Sequence, residues 1–437
     1  MSRKLKITLF LTLLYTGVYA QNPPERVLKI DDLFGLAEQN SKSLSVSRQE
    51  IAVSRQGTEI ARSARLPEIS ASIDAGYIGN IAILNPDFSF NEKVPVPHFT
   101  NNYGIEASQT LYAGKQVSRT IEKAKLQEQL SMLNFDQDRE TIRLLLVGRY
   151  LDLYRLFNQR KVYAKNIELA RARLKNIQGL HQEGMVTKND IIRSELQLTD
   201  LDVLADEVEN NIAIINKELT VSLGLPEDTR IAVDTTITAD SLRLSSYSDY
   251  LRQAYSSRPA MKANEVNENI AHKNVQLARA DKLPVINLYA GEGLSRPYLN
   301  ALPPQDIYYN VYQAGIRLRY NVSSLYHAKE RIHQAEIREH QQKTRSEQVK
   351  QQTELDVNAA FIKYNEARNE YARRVKGRQL ADDNYRIVEK KYLNQLALLT
   401  DILDASSAKL AAELNQSNAG INIVYRWYQL QKAAGAL

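Results

Sequence analysis

The chain has 437 residues, 43% of them hydrophobic and 25% charged, enough to bury a large core, and it has no cysteine, which excludes disulfides and zinc–thiolate sites. Glycine (17) and proline (12) are scarce for this length, so long uninterrupted elements are predicted rather than many turns. Arg3, Lys4 and Lys6 account for half of the net charge of +6, and the near-neutral remainder gives no reason to expect nucleic acid as a partner.

Those three basic residues precede an apolar run from Ile7 to Tyr15, with Val18-Tyr19-Ala20 behind it. Residues 1–20 read as a cleavable signal peptide, the run being too short to span a bilayer. No cysteine follows the cleavage site, so no lipid anchor is expected. No later stretch holds 18 apolar residues in a row, so any membrane contact of the mature chain has to be made as a β-barrel.

A helix is predicted from Ile30 to Arg65, ended by Leu66-Pro67 because proline disfavours helix in the residue before it. Glu68–Tyr77 alternates Ile69, Ala71 and Ile73 with Ser70, Ser72 and Asp74, the pattern of a strand. Residues 84–100, with Pro86, Pro95 and Pro97, read as a long loop, and Tyr103–Tyr112 as a second strand. A helix without internal proline follows from Gln116 to about Gln178, roughly 90–100 Å at the ideal rise. Glu183–Thr187 breaks it, and a third helix runs from Asn189 to Leu223, stopped by Gly224-Leu225-Pro226. In it Leu201, Leu204, Val208, Ile212, Ile215, Leu219 and Leu223 recur with an 11-residue period, which lets neighbouring helices run almost straight beside one another.

The programme then repeats. Residues 21–228 form one unit, 229–241 a polar, β-branched linker, and 242–437 a second unit. The second unit has a helix from Ser246 to Lys282, strands at Val285–Leu294 and Tyr309–Val322, a long helix from His327 to Glu389, a break near Leu393-Asn394-Gln395 and a last helix from Thr400 to Ala433. Ala61–Pro67 recurs as Ala278–Pro284, and at a constant offset of 211 Gly104 pairs with Gly315, Glu128 with Glu339, Asp190 with Asp401 and Gly224 with Gly435. The expected class is therefore mainly α with a β-barrel portion, built from a duplicated helix-strand-strand-helix-helix unit. Two strands per half cannot close a barrel, whereas three chains supply twelve, an even number within the outer-membrane range. Tyr77, Tyr103, Tyr112, Tyr289, Tyr298, Tyr308, Tyr309 and Tyr320 near the strand ends suit the interface belts of such a barrel.

Catalytic signatures do not appear: there is no GxxxxGK, HExxH or GxSxG. His333 and His340 share a helical face but stand about 10 Å apart, too far for one metal ion, and Gly291-Glu292-Gly293 lacks the helix start that dinucleotide binding needs. No enzyme activity, cofactor or metal is expected.

The unit order, the Ala-Arg-x-x-x-Leu-Pro segment before the first strand of each half, Leu111-Tyr112-Ala113-Gly114 and Asp401-Ile402-Leu403-Asp404-Ala405 together resemble the TolC family of outer-membrane efflux proteins over the whole mature length. The resemblance implies a homotrimer with a 12-stranded barrel in outer-membrane lipid, continuous with a long α-helical barrel in the periplasm. It implies a passive exit duct for small molecules, docked to a periplasmic adaptor and an inner-membrane pump. A duct for type I protein secretion is an alternative within the class, and a soluble periplasmic coiled-coil scaffold or adaptor is one outside it. Asp401 and Asp404 match aspartates that ring the family's periplasmic aperture, and Tyr392 matches a latching tyrosine; three copies would set six carboxylates around a neck, favouring cations. Both aspartates also stand where they would stabilise a helix N-terminus. Ala397 stands where relatives can place an arginine, so the resemblance carries no ionic latch to this chain. Gly184, Met185, Val186 and Thr187, with Leu396, Ala397 and Leu398 in the second half, match the hairpin tips that meet the adaptor.

Overall fold

The computed structural model describes residues 25–234, 244–301 and 303–437. The expected signal peptide and linker residues 235–241 lie outside that set. In chain order the elements are β1 (Glu25–Leu28), α1 (Ile30–Asn40), α2 (Lys42–Ser63), β2 (Glu68–Tyr77), β3 (Ile81–Leu84), β4 (Phe90–Val94), β5 (Phe99–Tyr112), α3 (Gln116–Gln182) and α4 (Lys188–Leu223). They continue with β6 (Arg230–Val233), α5 (Tyr247–Ser257), α6 (Pro259–Ala280), β7 (Val285–Arg296), β8 (Tyr309–Arg319), α7 (Ser324–Leu393) and α8 (Leu399–Ala433). Helix predominates, and α3 and α7 run for 67 and 70 residues.

Two helices expected as single pieces are broken. Ser41 takes an extended backbone between α1 and α2, and its hydroxyl accepts the Leu44 N–H, so it starts the second helix. Arg258 is extended between α5 and α6 because Pro259 follows it. The expected loop at 84–100 contains the β3–β4 hairpin. The start of the expected linker is also ordered: β6 pairs in parallel with β1, and Asn216 clamps it, accepting the Ile231 N–H at 2.8 Å and donating to the Thr229 carbonyl at 2.8 Å.

The chain divides into two compact units. The described part of the first comprises 25–47, 135–234, 244–259 and 351–437, and the second comprises 48–134 and 260–350. The first unit is mainly helical and holds four apolar clusters among the described residues, of which two are the larger. One gathers Leu28, Leu33, Val147, Tyr150, Leu219 and Ile231, and the other gathers Tyr250, Val357, Tyr364, Ile423 and Leu430. Buried Tyr150 donates its hydroxyl proton to the Leu28 carbonyl at 2.6 Å and accepts the Asp234 N–H at 2.7 Å, pinning α3 to both small strands. On α4 the predicted stripe faces inward at Leu201, Val208, Leu219 and Leu223, with Ile212 and Ile215 half-buried; Leu204 is exposed.

The second unit holds a four-stranded antiparallel sheet in the order β2-β5-β7-β8. Its register puts Ile69, Ile73, Ile105, Leu288, Ile316 and Leu318 on one face, all of them half or more open except Leu288 at 45%. The other face carries Ser70, Ser72, Asp74, Ser108, Asn287 and Gln313. Tyr289 lies on this polar face beneath the Arg317 guanidinium (4.5 Å to the ring centre), so it is not the apolar-face belt residue expected. Where β5 turns into α3, Gly114 has φ 59°, and a Cβ there would come within 2.7 Å of Leu283, which explains the glycine in Leu111-Tyr112-Ala113-Gly114.

Candidate functional site

Both long helices end in the same local structure, formed within the first unit. At the end of α3 the Gly184 N–H bonds the His181 carbonyl and the Met185 N–H bonds Leu180, a Schellman stop with Gly184 left-handed at φ 77°. At the end of α7 the Gln395 N–H bonds Tyr392 and the Leu396 N–H bonds Lys391, with Gln395 at φ 61°. The following helices start alike. Thr187 caps α4 reciprocally with Asp190, whereas at α8 Asp401 accepts the Leu398 N–H at 2.9 Å and Leu398 has no polar side chain to return the bond.

The two tips meet: the Gln395 side-chain amide lies 3.7 Å from the Met185 sulfur. Beneath them Ile177, Tyr385, Leu399, Ile402 and Ala405 form a small core with Val186, Ile191, Val388, Tyr392 and Leu403 around it. Of the expected docking residues, Met185, Leu396 and Leu398 are open at 55%, 76% and 71%, while Val186 is half-buried in this core. Gly184 and Thr187 are exposed and Ala397 is half-buried.

The expected aperture residues separate into three situations. Asp401 is exposed and engaged as a helix cap. Asp404, one turn on, is exposed and makes no hydrogen bond or ion pair among the described residues. Tyr392 is half-buried with its hydroxyl enclosed and without a hydrogen-bond partner. Burial first, then the nearby Asp190 charge, pushes its pKa up, while Arg173 opposes them. Within one copy, the carboxylate that acts on the Tyr392 hydroxyl is that of Asp190.

Sequence reasoning missed Arg173. On α3 the buried residues Tyr163, Asn166, Ala170, Arg173 and Ile177 step by three and four, so a guanidinium stands at a core position of a heptad stripe. Its two terminal nitrogens donate to the Gln197 side-chain oxygen at 3.0 Å, Ser406 Oγ at 3.2 Å and the Tyr385 hydroxyl at 3.4 Å. The Tyr385 hydroxyl in turn donates to Glu389 at 2.8 Å, and the Lys409 ammonium sits 4.6 Å from the centre of the Tyr385 ring. One arginine thus ties α3, α4, α7 and α8 together below the tips. Its signal in the sequence is a charged residue in phase with an apolar 3-4 repeat.

Residues 250–436 match the family described as outer membrane efflux protein. The resemblance carried by the sequence motifs is thereby borne out. Over 408 residues the chain is 22% identical to outer membrane efflux protein BepC of Brucella suis, covering 92% of this chain and 84% of that protein. The fold is that of solved outer-membrane channels. The open state of MtrE of Neisseria gonorrhoeae matches at TM-score 0.72 and 18% identity, covering 93% of this chain and 88% of that one. The outer membrane protein VceC of Vibrio cholerae matches at TM-score 0.72 and 14% identity, covering 93% and 96%.

Proposed function

We propose that this chain is the outer-membrane exit duct of a tripartite efflux system, conducting small molecules passively once docked to a periplasmic adaptor and an inner-membrane pump. The observation that carries the reading is the β2-β5-β7-β8 sheet, open and largely apolar on one face, where Glu292, bonded to Asn310, and Gln109 interrupt the apolar side chains, and largely polar on the other, with β2 and β8 at its edges among the described residues. Lipid is a solvent that accepts such a face but no free edge. The strands alternate in direction, so β8 of one copy can pair antiparallel with β2 of the next, and three copies close twelve strands. A soluble scaffold has no use for a sheet with an uncovered apolar face. The exported chain then sits in the outer membrane with its helices forming a conduit in the periplasm.

At the tips, Asp401 and Asp404 from three copies form a carboxylate ring that holds cations at the aperture, with Tyr392 holding the hairpin behind it. Exposed Met185, Leu396 and Leu398, around Gly184 and Ala397, offer apolar tips to the adaptor's helices. Two measurements test this. The protein should fractionate with outer membranes as a heat-modifiable trimer and conduct in planar bilayers, and recovery as a soluble monomer would refute the duct. Asp401→Ala with Asp404→Ala should weaken block of that conductance by divalent or trivalent cations; unchanged block removes the aperture role.

A further inference from the structure

Within the first unit, α3, α7 and α8 enclose a cleft of 550 Å³, a volume in the range of small-molecule sites. One face of each helix lines it. On α3, Leu151, Tyr154, Asn158, Lys161 and Lys165 recur at steps of three and four. Tyr371 and Arg378 stand one heptad apart on α7, and α8 contributes Glu413, Gly420, Ile421 and Val424.

The lining separates by polarity along the helix axes. α3 runs toward the tips and α8 away from them, so Lys161, Lys165, Arg378 and Glu413 share the tip-ward end, and Leu151, Tyr154, Ile421 and Val424 the far end. The far end is an apolar floor, with Leu151, Ile421 and Val424 buried. Gly420 lets the Tyr371 ring lie close on α8, since a Cβ there would stand 3.3 Å from a ring carbon. Body space with an aromatic wall is what a flat apolar ligand fills.

The tip-ward end carries cations that the chain leaves unsatisfied. Lys161 and Lys165 are exposed and make no hydrogen bond or ion pair among the described residues. Four apart, they stand on one helix face with about 5–6 Å between their β-carbons, close enough to bracket one carboxylate. Arg378 beside them donates to Gln416 at 2.9 Å and lies 3.6 Å from Asp382. Farther toward the tips the cations are taken: Lys409 pairs with Asp382 and Arg386 with Asp383. Glu413 is the one carboxylate lining the cleft, against three cations.

We propose that this cleft binds an amphipathic organic carboxylate, its flat apolar body against Tyr154, Tyr371 and Ile421 and its carboxylate between Lys161 and Lys165. A free inorganic anion would use the lysines and leave the floor empty, and a neutral hydrocarbon would do the reverse. The site is built by a single chain, so it goes beyond the duct reading and needs neither the trimer nor an adaptor.

Equilibrium dialysis of the full-length protein in lipid nanodiscs, with empty nanodiscs as the blank, tests this with naphthalene-2-carboxylate as the probe. One saturable site per chain is expected, and absence of saturable binding overturns the proposal. Inorganic phosphate and the cation 2-naphthylmethylammonium should each bind about tenfold more weakly or worse; equal binding of either overturns the ligand class. Lys161→Glu with Lys165→Glu should weaken naphthalene-2-carboxylate about tenfold, two attractions having become repulsions, with helix content unchanged because both positions are exposed. A double variant that binds like the parent places the site elsewhere and overturns the cleft. Glu413→Gln should tighten the probe by removing the opposing charge, and loss of binding in that variant overturns the charge assignment.

Discussion

Gly184 and Gln395 hold equivalent places at the two hairpin tips and share one left-handed backbone conformation, φ 77° and 61°, although only the first is the residue that this conformation favours. Non-glycine residues pay roughly 1–2 kcal/mol there. Gln395→Gly should therefore stabilise the second tip by about 1 kcal/mol, reduced by loss of the amide–sulfur contact to Met185. Gly184→Ala should destabilise the first by a similar amount; a Cβ there meets nothing, so the cost is backbone conformation alone. Amide exchange at the ends of α3 and α7 reads both effects.

Arg173→Met should loosen the lower ends of the four helices that it joins. The arginine is only 8% exposed, and its loss leaves Gln197, Tyr385 and Ser406 short of a charged donor. The expected cost is about 2 kcal/mol, roughly thirtyfold faster exchange of protected amides in residues 385–406. No change there would mean that the knot holds nothing.

Asp401 and Asp404 should part company in stability while acting alike in conductance. Removing the Asp401 cap should cost about 1 kcal/mol, and Asp404→Ala should stay within about 0.5 kcal/mol of the parent. Thermal unfolding of the single variants separates the capping role from the aperture role.

Glu140 gives a pH dependence of definite sign. It is 8% exposed, and burial raises its pKa, opposed by the charges of Lys432, Arg258 and Arg139 and aided by Asp136. The folded state therefore binds the proton more tightly than the unfolded one, and stability falls as pH rises from the ordinary carboxyl range through the raised folded pKa. Lys432, whose pKa is lowered by burial first, loses stability in the opposite direction, as pH falls through its own folded pKa from the alkaline side. Glu140→Gln should flatten the acid-side slope in denaturant midpoints measured from pH 4 to 8. An unchanged slope would place the titration elsewhere.

Tyr150→Phe tests the anchor of the two small strands. Buried Tyr150 bridges the Leu28 carbonyl and the Asp234 N–H, and the change leaves both without this partner. A loss of about 1–3 kcal/mol is expected, seen as faster exchange in residues 25–28 and 230–234.

The long helices and the main strands were legible because their periods persist over many residues. Proline marks the helix stop at Leu66-Pro67, and Pro259 likewise marks the break after Arg258 inside the helix expected from Ser246 to Lys282. The break at Ser41 has no proline to announce it; a hydroxyl cap and the bond from Asn40 to the Leu223 carbonyl produce it, and the second partner lies 183 residues away. β1 and β6 span four residues each and pair across most of the first half, so no local pattern could mark them. The tips were found through the family resemblance. Arg173 was not, because its partners on α4, α7 and α8 converge only in the folded helices.

An isolated copy of the second unit would expose the ladder groups of β2 and β8 together with a greasy sheet surface. Such a species is an aggregation hazard in water and has no place in a bilayer. In the proposed trimer, maturation couples strand closure to assembly, and the melting temperature should then track protein concentration rather than report a property of the lone polypeptide.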